Sequence, residues 1–414
     1  MGADAVVAHH EARTDRFARP GTALRLLGPA YVVAIAYVDP GNFATNFAAG
    51  AAEGYTLIWV VVVANVMAAL VQYLAARLGA ATGRDLCEIC RDRLPRPVVR
   101  LLWAQAELAC MATDLAEVVG AAIALRLLFG IPLLAGGALT GGVTFGVLAL
   151  AKNRQPRFER AMAAALTVIF GAFVAGSVMT SVRLGGLARG LVPRSADGGG
   201  VLLAAGIIGA TVMPHAVYAH SALALRLHHY RSDEEVNARR ALRRDVVSAM
   251  AVAGAGNVAI LAVAAAALAG RAGATVTLDA AYRILGTEGS AVAVLFAAAL
   301  LVAGLASSGV GTYAGQVVMR GFLQTSIPLP ARRLVTLLPA LAVLSTGLDA
   351  TRALVLSQVT LSFAIPFAVI PLLIFTRRPD VMVGQPVSPW VCATGTACAV
   401  AIVALNVILL AQMV

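Results

Sequence analysis

Ala36-Tyr37-Val38-Asp39-Pro40-Gly41-Asn42 interrupts an apolar segment where a membrane-crossing helix should run unbroken. Ile208-Gly209-Ala210-Thr211-Val212-Met213-Pro214-His215 does the same to a second segment. In each, proline removes a backbone N–H and its ring clashes with the preceding turn. The carbonyls of Ala36 and Ala210, which would have bonded to that N–H, are freed. Hydrocarbon offers such groups no water, so irregular backbone at this depth must be buried in protein or line a cavity. Paired interruptions in matching positions of two halves of a chain mark the binding site of a transporter.

The rest of the chain supports that environment. It has 414 residues, of which 60% are hydrophobic and 13% charged, against roughly 25% charged in a soluble domain, and its mean hydropathy is +0.84. Apolar stretches of about 20 residues, each long enough to span a bilayer as a helix, recur throughout. Eleven are expected: 28–51, 54–78, 101–129, 132–151, 158–182, 199–226, 245–269, 290–320, 333–347, 351–375 and 388–413. The reading is an all-α polytopic membrane protein with broken first and sixth helices. A cytoplasmic tail (1–26) precedes a transmembrane domain (27–414), and no cleavable signal peptide is evident. Five spans per half is odd, so a first repeat (about 28–182) and a second (about 199–375) enter the membrane from opposite sides. Helix 388–413 is an addition to this inverted repeat. Between spans, 79–100, 183–198, 227–244 and 270–289 read as loops; in 227–244 acid–base pairs at helical spacing extend a helix.

The net charge of +11 is absorbed by topology. With the N-terminus cytoplasmic, 25 of the 32 Lys and Arg fall on inside segments, which is the positive-inside bias. The C-terminus is then outside, and the basicity calls for no nucleic-acid partner. The expected partners are the lipid bilayer and a small cation, with the chain acting as a monomer in the cell (inner or plasma) membrane. Cys87 and Cys90 form a lone C-x-x-C, too little for a zinc site, and are expected to be free thiols. No H-E-x-x-H or comparable enzymatic metal motif occurs, so no enzyme is expected.

The side chains at the breaks describe the cargo. Asp39 and Asn42 supply a carboxylate and an amide oxygen beside the Ala36 carbonyl. An Asp at membrane centre costs roughly 3 kcal/mol and is functional by default. Met213 adds a thioether beside the Ala210 carbonyl. Sulfur gives little to magnesium or calcium but suits first-row transition metals. The mixed set fits Mn2+ or Fe2+ and would admit Co2+ or Cd2+. In the third span Glu107, Asp114 and Glu117, at i, i+7 and i+10, share roughly an 80° arc of one helix face. Such a row reads as a proton pathway; static pairing with Arg332 and Arg333 is the alternative. His215 and His220 titrate near neutrality and are further proton carriers.

Together these residues resemble the Nramp family of proton-coupled divalent metal transporters. Asp39-Pro40-Gly41-Asn42 and Met213-Pro214-His215 are similar to its first- and sixth-helix signatures. Further similar stretches are Gln72–Ala76, Ala112–Glu117, Gly311–Gln316 and Leu356–Gln358. The resemblance implies an amino-acid-transporter-like fold and import of divalent transition metals coupled to protons, with no permanently bound cofactor. It implies that Asp39, Asn42 and Met213 are side-chain ligands, with the carbonyls of Ala36 and Ala210 and, in an occluded state, Gln358. It implies that protons leave Asp39 through Glu107, Asp114, Glu117 and Arg332 or Arg333, and that His215 and His220 line the cavity. Ala216 departs from the family pattern, where asparagine commonly follows Met-Pro-His. The competing reading is a sodium-coupled amino-acid transporter of the same fold, which Asp39 disfavours because it would repel a substrate carboxylate.

Overall fold

The computed structural model describes residues 28–153, 155–194, 198–227, 235–270, 277–325, 327–383, 385 and 387–413. The N-terminal tail and the acid-rich start of 227–244, including His228 and His229, lie outside them. Among the described residues the chain is helical and has no strand. Helix α1 (Pro29–Ala34) tightens into a 3-10 turn, Ile35–Val38, and is followed after Asp39 by α2 (Pro40–Glu53). Next come α3 (Ile58–Thr82), α4 (Leu86–Arg93), α5 (Arg96–Phe129), α6 (Leu133–Asn153), α7 (Gln155–Met179) and α8 (Leu184–Gly190). The second broken helix is α9 (Gly198–Thr211) and α10 (Pro214–Leu223). Then follow α11 (Glu235–Leu268), α12 (Leu278–Glu288), α13 (Ser290–Leu323), α14 (Leu329–Ser345), α15 (Ala350–Arg377) and α16 (Pro389–Met413).

All eleven expected segments are helical. Eight, counting the second broken helix as one, are long and apolar enough to cross a membrane. The other three are the first broken helix, α6 and α14. The outward side chains of the spans are apolar, among them Val66, Leu108 and Val178, as a lipid-facing surface requires. The loop expectations need correction at three places, where α4, α8 and α12 are helices. α4 and α12 begin at side-chain caps, Asp85 and Thr277, and all three are too short to register as spans. The starts of α5 and α14 also lie about one turn earlier than expected.

Two close approaches set the interior. Gly120 of α5 sits on the first residue of α2, where a Cβ would fall 2.1 Å from the Pro40 Cβ. Gly209 of α9 sits on α15, where a Cβ would fall 2.0 Å from the Gln358 carbonyl oxygen. Any larger residue at either position would drive a wedge into the core beside a break. On its other face α2 is fixed by aromatic contacts: Phe43 meets Phe173 edge-on at 4.9 Å, and Phe47 meets Phe296 at 4.6 Å. Such pairs contribute about 1 kcal/mol each beyond burial. The broken backbone is therefore held between well-packed elements.

Candidate metal site between the two helix breaks

Asp39 has extended backbone (φ −85°, ψ 171°) and is the N-cap of α2, with Pro40 as the first helical residue. Its Oδ1 accepts from the Asn42 backbone N–H at 2.8 Å and from Asn42 Nδ2 at 2.8 Å. Capping of this kind satisfies donors that no intrahelical partner can reach. Its Oδ2 is buried and has no hydrogen-bond partner among the described residues. The Tyr37 carbonyl, next to the freed carbonyl of Ala36, accepts from Asn257 Nδ2 at 2.8 Å.

Met213 repeats the arrangement. It is extended (φ −83°, ψ 121°), caps α10, and is followed by Pro214 at the first helical position. The Ala210 carbonyl that Pro214 leaves without a donor accepts from Asn42 Nδ2 at 2.9 Å. The Thr211 hydroxyl reaches Asn42 Oδ1 at 3.3 Å. Asn42 thus ties the first break to the second. Gln358 comes in from α15. Its amide lies against Gly41, where a Cβ would fall 2.3 Å from Nε2. Nε2 donates to the Ser357 hydroxyl at 3.1 Å, while Oε1 is buried without a partner. Ala36, Asp39, Asn42, Ala210, Met213 and Gln358 are each at most 1% exposed, so the residues at the junction of the breaks are shielded from solvent.

An acceptor left unpaired in such surroundings costs about 1–3 kcal/mol, more when it carries charge. Here two such oxygens, one from a carboxylate and one from an amide, occur at breaks that also carry a buried thioether, Met213, and two carbonyls with proline-removed donors. Oxygens of this kind want a cation. The donor set, hard oxygen with one soft sulfur, suits a first-row divalent ion better than magnesium or calcium.

The acidic row is where the sequence puts it, on α5, and α14 answers it. Arg332 Nη1 and Nη2 donate to the two Glu107 oxygens at 3.2 and 2.9 Å. Arg333 pairs with Asp114 at 2.9 Å and donates to the Ser308 hydroxyl at 2.5 Å. Glu117 is fully buried, and among the described residues neither of its oxygens has a hydrogen-bond partner. Gly311 of α13 faces both remaining carboxyls: a Cβ there would sit 3.2 and 3.3 Å from the Glu117 oxygens and 3.5 Å from Asp114 Oδ1.

The two histidines part company. His215 Nδ1 lies 3.2 Å from the Thr113 hydroxyl of the acidic helix. That hydroxyl also donates to the Ala109 carbonyl at 3.0 Å, which assigns the Nδ1 proton to His215 and leaves Nε2, unpartnered and buried, as an acceptor. His220 belongs to another network: its Nδ1 meets Gln72 Oε1 at 2.7 Å, and Gln72 Nε2 donates to the Tyr37 hydroxyl. Tyr37, Gln72, Asn257, Thr211 and Ser308 are thus polar neighbours of the site that the sequence reading assigned no role. Lone amides in apolar spans were the available signal for Gln72 and Asn257. Cys87 and Cys90 are free, buried thiols on α4, and burial pushes the pKa of both up.

The family model described as "Nramp: Natural resistance-associated macrophage protein-like" matches residues 30–412. The chain is 51% identical over 397 residues to a protein of Mycobacterium tuberculosis named divalent metal cation transporter MntH, covering 94% of this chain and 92% of that one. It is 49% identical over 387 residues to the Klebsiella pneumoniae protein of the same name, covering 92% and 93%. The crystal structure of the Eremococcus coleocola manganese transporter with an aromatic bis-isothiourea compound superposes with a TM-score of 0.84. The identity there is 31%, over 94% of this chain and 88% of that one. The chain belongs to the Nramp family, a family of membrane transporters and not of enzymes.

Proposed function

We propose that this protein imports divalent transition metal ions, Mn2+ and Fe2+ foremost and Co2+ and Cd2+ with them, by alternating access coupled to protons. The observation that carries the reading is the pair of buried oxygens without a hydrogen-bond partner among the described residues, Asp39 Oδ2 and Gln358 Oε1, at breaks joined by Asn42. Two of the relatives are named as divalent metal cation transporters and one as a manganese transporter. The burial of these residues fits an occluded step in such a cycle.

In this reading the metal is substrate. Asp39 gives the charge, Asn42 and the Ala36 and Ala210 carbonyls give further oxygens, and Met213 filters against calcium and magnesium. Gln358 completes the shell when the chamber closes. A proton taken by Asp39 passes to Glu117 and Asp114 and on toward Glu107, with Arg333 and Arg332 setting the charge balance at each step. His215, held by Thr113, stands beside this route. His220 acts through Gln72 and Tyr37 on the packing of α1. The eleven segments cross the membrane as two inverted five-helix repeats plus α16. The N-terminus is cytoplasmic and the C-terminus outside, in the plasma membrane, and the chain works as a monomer.

The experiment is uptake into proteoliposomes across a metal panel, with and without an imposed inward proton gradient. Gradient-stimulated uptake of Mn2+ and Fe2+ with little Ca2+ or Mg2+ is expected. Uptake of none of the transition metals, or of all divalent ions alike, would overturn the reading.

A further inference from the structure

We infer that Asp245 is a positioning residue for transport, a clasp by which the second half of the molecule holds the first half-helix shut. This inference rests on the alternating-access reading above. Its physical basis is the start of α1. A helix beginning there presents N–H groups with no intrahelical partner, and its own N-cap, Gly28, has no side chain to satisfy them. The cap is supplied from more than two hundred residues away. Asp245, on α11, accepts from the Gly28 N–H at 3.0 Å and from the Ala30 N–H at 3.1 Å. Pro29 between them has no N–H, so the carboxylate takes the donors on either side of it. A negative group at a helix N-terminus is also favoured by the helix dipole.

A second observation points the same way. A Cβ at position 28 would lie 2.2, 2.4 and 2.6 Å from the Asp245 carboxylate atoms. Only glycine lets the carboxylate come this close, and a carboxylate is the terminus of a short side chain with little freedom to retreat.

The rod so held is short. From Pro29 to Val38 it is pinned at one end by Asp245 and ends at the other on the extended residue Asp39, the natural hinge. Ala30, Val32, Val33 and Ala34 are each at most 3% exposed, so the rod fills the space between α11, α7 and α10, against which it packs. Swinging it about Asp39 would open the chamber from the α1 side, and it cannot swing without breaking the two bonds to Asp245. The clasp therefore sets how much of the time that route is closed.

The test is amide hydrogen exchange on the full-length protein in lipid nanodiscs without metal, so it succeeds or fails independently of what the cargo is. Asp245→Ala should speed exchange across residues 30–38 by about tenfold, the effect of losing one or two charge-assisted bonds. Gly28→Ala, which keeps the charge but displaces it, should do the same, and the double variant should add nothing to either single one. Asp245→Asn, which retains one acceptor, should fall between. Exchange in α16, which packs on α15, α9 and α3, should not change. If α1 exchange is unaltered in both single variants, if their effects add, or if α16 loosens equally, the clasp is refuted. Should Asp245→Ala fail to fold, Gly28→Ala alone decides between these outcomes.

Discussion

Asp39 carries two duties that substitution can separate. One oxygen caps α2 through Asn42, and the other has no protein partner. Asp39→Asn keeps a cap acceptor and removes a buried charge, so the melting temperature should hold or rise while Mn2+ uptake falls to the level of empty liposomes. An Asn variant that still transports would remove the carboxylate from the ligand set. Asp39→Ala loses both functions and should cost about 1 kcal/mol of stability besides. Met213 is the reverse case, buried and apolar except for its sulfur. Met213→Ala should leave Mn2+ uptake within about tenfold, because oxygen ligands remain, and should admit Ca2+, which sulfur disfavours. Competition of Ca2+ against Mn2+ uptake reads this directly, and unchanged competition would exclude the sulfur as a filter. Both residues were legible in the sequence because a polar or sulfur side chain beside a mid-membrane proline is conspicuous. Tyr37 and Gln72 were not. Their link to His220 exists only once the 3-10 turn after α1 packs with α3 and α10, and no local pattern encodes that.

At the level of elements, α4 is the instructive miss. Asp85-Leu86-Cys87-Glu88 is a capping box in sequence, and the structure closes it: the Glu88 N–H donates to Asp85 Oδ1 at 2.9 Å and the Asp85 N–H to Glu88 Oε2 at 3.1 Å. The eight-residue helix that follows was hidden inside a segment read as a loop, since a helix this short leaves no hydrophobic period to find. It is tied to the second broken helix, because the Leu86 N–H donates to the Ser221 hydroxyl at 3.1 Å. Burial raises the Asp85 carboxyl to about 6, helped by the Glu88 charge and opposed by the Glu88 N–H and Arg320. An unfolded Asp releases its proton near 3.8. Between these values the folded state binds more protons, so this group's contribution turns against folding as pH rises through the window and stays unfavourable above it. Asp85→Asn keeps the cap and deletes the charge. It should stabilise the protein at pH 7.5 by on the order of 2 kcal/mol and make no difference near pH 4. Thermal unfolding in detergent at the two pH values measures this, and an equal effect at both would exclude the linkage.

For the whole molecule, the sequence disclosed what recurs and concealed what depends on assembly. Apolar segments, the two prolines and the row Glu107, Asp114, Glu117 follow from composition and helical spacing. The partnership of that row with Arg332 and Arg333 was only nameable, because α5 and α14 are more than two hundred residues apart and meet only once the bundle is assembled. That partnership poses the remaining question, whether the row moves protons or merely balances charge. Asp114→Asn alone cannot answer, since it strands the Arg333 guanidinium in a fully buried position, and breaking such a pair costs about 3–5 kcal/mol. Asp114→Asn with Arg333→Gln removes both charges and leaves a neutral pair of similar shape. If Asp114 is only an ion-pair partner, the double variant should recover both the melting temperature and uptake stimulated by the proton gradient. If Asp114 accepts protons, the double variant should regain stability yet lose at least about tenfold of the gradient stimulation, with metal uptake now insensitive to external pH. The second result is expected, because Glu117, the neighbouring buried carboxyl, then has no carboxyl between it and Glu107. Full stimulation in a stable double variant would assign the row to structure and require the proton to leave Asp39 by another way.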